Sequence, residues 1–293
     1  MLFRSSPGDG LTCHEADSRF LLYPHHPLRG LWPHNGCMTP VSSPLVSTIW
    51  WAHTFDASER LTRLLDENEL ARNARFLSQA DRDRHLLGRA MAKLALADLV
   101  GCAPDKITFD LHCRSCEEKE RTGAHPGNGE AHGKPYPAGP ALGWQISVSH
   151  SGEWVVLALT EGVPVGVDVE RISHTRDLEG LAGYTLADTE RDAWQQLDQD
   201  RRIDAFFGYW ARKEALLKAT GFGLSGGLRR VTVSPPHTEA RLLSWEGGGG
   251  PDAAWLSDLE RGEGYRSALA LLTDRPVKMR VRTPVETSAL LRG

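Results

Sequence analysis

From residue 45 onward, stretches with apolar residues two apart give way to stretches with apolar residues three and four apart, and the switches predict the elements. "LVSTIWWAH" (Leu45–His53) reads as a strand, and Ser58–Asp66 and Leu70–Val100 read as helices. In the longer helix Phe76, Leu86, Leu87, Ala90, Leu94 and Leu99 fall near helical spacing, alongside Arg72, Arg75, Arg82, Arg84 and Arg89. Residues 111–143 are rich in Gly, Pro and charge and read as a long loop. Three short runs follow, Trp144–Ser149, Trp154–Thr160 and Val165–Glu170, separated by "SHSGE" and "EGVP"; they predict a β-meander. A helical region covers Leu178–Ala219, broken near Asp198–Asp200. Strands return at Leu228–Val233, Ala253–Leu259, Tyr265–Leu272 and Val277–Arg282, with "EGGGG" as a turn.

Strands and helices are segregated rather than alternating, so the expected class is α+β. The coarse order strand, helix, strands, then helix, strands occurs in both halves and hints at a duplicated unit, without a residue repeat. The expected divisions are a disordered leader at 1–40, an N-terminal half at 41–162, a C-terminal half at 163–285 and a tail at 286–293. One helix has a flaw. In "FFGYWARKEALLKATGFGL" the stripe Ile203, Phe206, Phe207, Trp210, Leu217 is interrupted by Lys213 and Glu214. An inward charged pair is costly unless something in the core binds it.

Composition narrows the classes. The 293 residues are 40% hydrophobic, enough for a substantial core. A net charge of −4 gives no basic field for nucleic acid or an anionic membrane, and no apolar run approaches a membrane span. The first 37 residues lack the layout of a secretory signal, and a cytoplasmic protein is the expectation. Five cysteines make an odd count, against a disulfide framework. Cys113 and Cys116, with His112, His125 and His132 nearby, have half of a zinc-knuckle spacing. The other C-x-x-C half is missing, so a flexible insertion is preferred over Zn²⁺.

The strand "VGVDVE" puts Asp168 and Glu170 on one face, their α-carbons roughly 6.5–7 Å apart. Two carboxylates aimed together repel unless a cation intervenes, and oxygen donors without His or Cys favour Mg²⁺. The plainer alternative is that both face water at a strand end. Glu214, in the flawed helix, could add a third carboxylate, with Lys213 beside it and Lys218 one turn on. Lysines flanking such a cation suit phosphoryl or pyrophosphate chemistry, where a leaving oxygen gains negative charge. "SVSHSGEW" places Ser147, Ser149 and Ser151 along one side with His150 at the tip; without a G-x-S-x-G motif or an acid, this suits gripping a phosphate better than a hydrolase triad.

Together "GKP" (Gly133–Pro135), "SVSHS", "GVDVE" and "WARKEALLKATGFGL" resemble, in order and spacing, the 4′-phosphopantetheinyl transferases, in particular the large Sfp-type branch associated with polyketide and nonribosomal peptide synthases. "RFLSQADRDRHLLGRAMAK" (Arg75–Lys93) is similar to that branch's N-terminal helix. The resemblance implies a pair of pseudo-symmetric halves with coenzyme A in the cleft between them, and a monomer. It implies that Asp168, Glu170 and Glu214 hold Mg²⁺, with Mn²⁺ as the alternative. Lys218 would neutralise the departing 3′,5′-ADP, and Glu214 would deprotonate a serine of an acyl or peptidyl carrier protein. Lys213, Ser149 and His150 would contact the phosphates. Lys134, Arg72 and Arg75 would hold the nucleotide and its 3′-phosphate, with His85 near the adenine. Glu69 departs from relatives that place a lysine there. The alternatives are a non-catalytic carrier- or CoA-binding module and a Mg²⁺-dependent CoA phosphohydrolase. For carrier docking, Arg171, Arg176, Leu178, Leu181, Tyr184 and Leu186 offer apolar and basic character.

Overall fold

Strand β1 (Leu45–His53) lies inside a four-stranded sheet. It pairs antiparallel with β5 (Trp154–Glu161), which pairs antiparallel with β4 (Trp144–Ser151), and runs parallel to β11 (Val277–Val281) on its other side. A second, antiparallel sheet has the order β6 (Val165–Arg171), β10 (Tyr265–Leu271), β9 (Trp255–Asp258). These positions come from a computed structural model that describes residues 43–121, 133–223 and 227–292.

The period-two pattern of β1 decides the layering. Trp50 and Ala52, with Leu157 and Leu159, pack against helix α2 (Gln79–Val100). Ile49 and Trp51, with Val156 and Ala158, face Val165, Val167 and Val169 of β6 and Leu269 and Leu271 of β10. Ala268 and Ala270 turn the opposite way, onto helix α6 (Gln199–Thr220). The order is helix, sheet, sheet, helix, the expected α+β class. Each long helix has 22 residues and ends at a glycine in the left-handed region, Gly101 and Gly221. Phe206 and Phe207 are fully buried, each contributing roughly 1.5–3 kcal/mol of transfer free energy.

Several boundaries differ from the sequence expectations. Ser58–Asp66 contains a 3₁₀ helix, Glu59–Leu64, instead of an α-helix. The helix expected over Leu70–Val100 is two helices, α1 (Glu67–Ala74) and α2. The break arises because the Ser78 hydroxyl accepts the Asp81 N–H and starts a new helix. The long loop contains β2 (Thr108–His112), α3 (Arg114–Arg121) and β3 (Lys134–Ala138). The helical region divides into α4 (Leu178–Thr185), α5 (Asp188–Gln195) and α6. A second small sheet pairs β7 (Val231–Val233) with β8 (Leu242–Trp245). The expected tail is helix α7 (Pro284–Arg292), whose Leu291 is buried in the core under α2. With β11 it returns the chain's end to the first sheet, so the division at 162/163 is not a clean one. The leader lies outside the described residues. Among those described, no helix is long and apolar enough to cross a membrane.

Gly166 sets the distance between β6 and α6. A Cβ there would fall 1.9 Å from the Ala215 carbonyl oxygen and 2.4 Å from the Ala219 nitrogen, both backbone. Gly166→Ala is therefore expected to cost about 2–3 kcal/mol, read as a lower urea midpoint. An unchanged midpoint would show that the strand and helix can separate freely.

Candidate active site

Where β6 meets α6, three carboxylates share one ammonium. Asp168 is buried, and its Oδ1 accepts from Lys218 Nζ at 2.7 Å and from the Ser149 hydroxyl at 2.8 Å. Its Oδ2 is buried and has no hydrogen-bond partner; the same holds for Glu214 Oε1. Burial and the negative charge of Asp168 push Glu170 up to about 7. Burial, with Asp168 and Glu170 adding to it against the pull of Lys218, pushes Glu214 up to about 7 as well. Burial also raises Asp168. Among the described residues no three His, Cys, Asp or Glu side chains converge in metal-ligating geometry, so the expected Asp168, Glu170, Glu214 set is assembled as neighbours and not as a closed shell. The residues nonetheless fit a hard cation. Two buried, unpartnered carboxylate oxygens and a third acid of raised pKa are an oxygen-only donor set with surplus negative charge.

The wall facing these acids comes from the first sheet. No backbone ladder joins β4 to β6. Serine hydroxyls bridge the gap: Ser147, Ser149 and Ser151 Oγ accept from the N–H groups of Val167, Val169 and Arg171 at 3.0, 3.4 and 3.0 Å. Ser151 Oγ also donates to Glu170 Oε2 at 3.2 Å. His150, between them in sequence, points outward at the strand end. Loss of hydration beside the protein, then the charges of Lys218 and Arg84, lower it to about 4. The residue as a whole is exposed. Arg84 holds the turn after it by donating to the Gly152 carbonyl at 2.7 Å.

At the α1–α2 break, Asn73 Nδ2 donates to the Arg82 carbonyl at 2.8 Å and lies 3.2 Å from His85 Nδ1. With the amide spending its hydrogens this way, Nδ1 accepts and Nε2 carries the proton. That N–H is buried and unpartnered, beside the Phe76 ring at 5.3 Å. Burial first, then Arg89, Arg72 and His150, lower His85 to about 4. Arg72 and Arg75 are exposed on α1 and at its C-terminal cap. A hollow of about 840 Å³ between the N-terminal part of α6 and the β9–β10 turn is lined by none of these acids.

Residues 164–270, which span β6 through β10 and include all three acids, match the family model of the 4′-phosphopantetheinyl transferase superfamily. The chain is 30% identical over 185 residues to the 4′-phosphopantetheinyl transferase HetI of Nostoc, covering 62% of this chain and 70% of that protein. It belongs to that superfamily. The 4′-phosphopantetheinyl transferase Sfp of Bacillus subtilis is 26% identical over 179 residues, covering 61% of this chain and 70% of that one. Among solved structures, Thermotoga maritima holo-[acyl-carrier-protein] synthase overlays with a TM-score of 0.32 at 26% identity, over 39% of this chain and 65% of that chain.

In this transferase the family motifs bring together Asp168, Glu170, Glu214, Lys218, Ser149 and His150, but three expected nucleotide or phosphate contacts are used otherwise. Lys213 is fully buried, pairs with Glu190, and donates to the carbonyls of Thr185 at 2.7 Å and Leu228 at 3.2 Å. It cannot reach a phosphate, because successive residues on a helix point about 100° apart and, of this pair, Glu214 is the one beside the β6 acids. Lys134 Nζ donates to the carbonyls of Val165 and Ala219, at 2.8 and 3.3 Å, and so ties β3 to β6 and to the end of α6. Ser149 makes three bonds, counting Lys218 at 2.8 Å, which uses its one hydrogen and both lone pairs. Glu69, the departure from relatives, pairs with Lys93 Nζ at 2.7 Å and fastens α1 to α2. Of the residues weighed for Zn²⁺, His125 and His132 lie outside the described residues; Cys113 precedes α3 and Cys116 lies within it.

Sequence reasoning missed Asn73 and the pairing of Ser151 with Glu170. For Ser151 a signal was present, since the spacing of "SVSHS" matches that of "VGVDVE".

Proposed function

We propose that this transferase moves 4′-phosphopantetheine from coenzyme A to a carrier-protein serine, with Asp168, Glu170 and Glu214 holding Mg²⁺ or Mn²⁺. The observation that carries the reading is the pair of buried, unpartnered oxygens, Asp168 Oδ2 and Glu214 Oε1, beside a single ammonium. Bound there, the cation supplies charge neutralisation to the pyrophosphate. Glu214 takes the proton of the carrier serine hydroxyl as its oxygen bonds to the β-phosphorus. The bond from that phosphorus to the 3′,5′-ADP oxygen breaks, and Lys218 Nζ balances the charge left on ADP. His150, neutral at pH 7, offers a ring N–H to a phosphate oxygen. The unpartnered His85 Nε2–H and the exposed Arg72 and Arg75 serve the nucleotide.

The first sheet supplies the serines and His150, and the second sheet with α6 supplies the acids and Lys218, so one chain completes the site and a monomer suffices. Arg171, Arg176 and Tyr184, all exposed, form the surface proposed for the acidic carrier, an acyl or peptidyl carrier domain in the cytoplasm; of the other expected residues, Leu186 is buried and Leu178 and Leu181 pack against the core. Release of 3′,5′-ADP from CoA is expected only when both apo-carrier and Mg²⁺ are present, and to stop on adding EDTA. Release without a carrier would instead identify a CoA phosphohydrolase.

His85→Ala is expected to raise the KM for CoA about tenfold, since a buried donor to the ligand is removed, with kcat within about threefold. An unchanged KM would place the nucleotide elsewhere.

A further inference from the structure

The serines between the two sheets differ in one respect. All three accept a β6 N–H, but only two have a carboxylate within reach of their own hydrogen. Ser149 donates to Asp168 at 2.8 Å and Ser151 donates to Glu170 at 3.2 Å. Opposite Ser147 the corresponding β6 residue is Gly166, which has no side chain to receive a bond. The pattern follows from register. Serines at 147, 149 and 151 stand against the N–H groups of 167, 169 and 171, and each hydroxyl then points at the side chain one residue earlier on β6. For an acid with two oxygens, a bond on one leaves the other directed elsewhere. Asp168 shows this, with Oδ1 held by Ser149 and Lys218 and Oδ2 left without a partner.

We infer that Ser151 is a positioning residue for the cation site: its hydroxyl, itself fixed by the Arg171 N–H, holds Glu170 Oε2 and so orients this acid toward the bound divalent cation. Ser149 plays the same part for Asp168, while Ser147 only joins the sheets. The inference rests on the metal reading above. It assigns to the second serine of "SHS" an action through Glu170, not a contact with phosphate. Groups one step behind a metal ligand commonly change metal affinity 10- to 100-fold when removed.

The test is titration of the full chain with Mn²⁺, followed by electron paramagnetic resonance in the presence of CoA, beside thermal unfolding. Ser151→Ala is expected to weaken Mn²⁺ binding about tenfold, and Ser151→Thr, which keeps the hydroxyl, to restore it. Ser147→Ala is expected to lower the unfolding temperature and leave Mn²⁺ affinity at the wild-type value. Wild-type affinity in Ser151→Ala, where Glu170→Gln loses binding, would overturn the positioning role and leave the metal site standing. Wild-type affinity in Glu170→Gln would overturn both. If the alanine variant does not fold, Ser151→Cys, of similar shape but a weak donor, decides by the same comparison.

Discussion

Glu214→Ala is expected to lower phosphopantetheine transfer by about 10³-fold or more while leaving the protein as stable as before, or slightly more so. A general base alone contributes typically 10²–10⁴-fold, and Glu214 also belongs to the donor set for the cation. The stability side follows from its surroundings. Its Oε1 is buried and unpartnered, and burial with two neighbouring acids pushes its pKa up to about 7. Such a group costs the folded chain free energy, so its removal relieves strain even as the cavity left behind offsets part of the gain. Glu214→Gln tells the two roles apart from simple volume loss, because it fills the space without accepting a proton. Activity is read as holo-carrier formed per minute and stability as the urea midpoint. Activity within tenfold of wild type in both variants would remove Glu214 from the site.

Lys213→Ala, one residue earlier, is expected to do the opposite kind of damage, costing about 3–5 kcal/mol of stability. Lys213 and Glu190 are both buried, and Glu190 also accepts from the backbone N–H groups of Ala187 and Val233, at 2.8 and 2.7 Å. Taking away the ammonium leaves a carboxylate in the core with no counter-charge, the costly way to break a buried pair. Two carbonyls, of Thr185 and Leu228, lose their donor as well. Removing both charges together, as Lys213→Met with Glu190→Gln, is expected to recover more than half of the loss, because no bare charge then remains. A double variant as unstable as the single one would show that the carbonyl bonds, and not the ion pair, hold α6 to α4 and α5. Residual activity in Lys213→Ala should track the folded fraction. A KM for CoA that rises in the folded fraction would return Lys213 to the phosphates.

The contrast between these neighbours shows what the residue pattern could and could not convey. A break in an apolar stripe announced that charge enters the interior, and both members of "KE" do so. Which way each points depends on elements far along the chain. Glu190 and the Leu228 carbonyl meet Lys213 only because α5 and the 3₁₀ turn before β7 pack on the same side of α6. The strands were legible as short apolar or alternating runs bounded by turn residues, as in β1, β5, β6 and β10. The third strand of the expected meander was legible as a strand but not as a member of another sheet. Its separation from β4 rests on serine hydroxyls standing in for backbone pairing, and nothing in local periodicity distinguishes that from a ladder. The carboxylate set was legible from "VGVDVE" and the motif resemblance. Lys134 was not, since its donation to the carbonyls of Val165 and Ala219 depends on β3 lying against the end of α6. Helix α7 escaped notice because its buried face, with Leu290 and Leu291, is short and lies at the chain's end.

The most direct test is the intact mass of an apo-carrier protein incubated with this chain, CoA and Mg²⁺. Addition of one phosphopantetheine to the carrier, lost when EDTA is present and lost in Asp168→Asn, is the predicted result. An unmodified mass across several acyl and peptidyl carriers, or modification that persists in EDTA, would contradict the account.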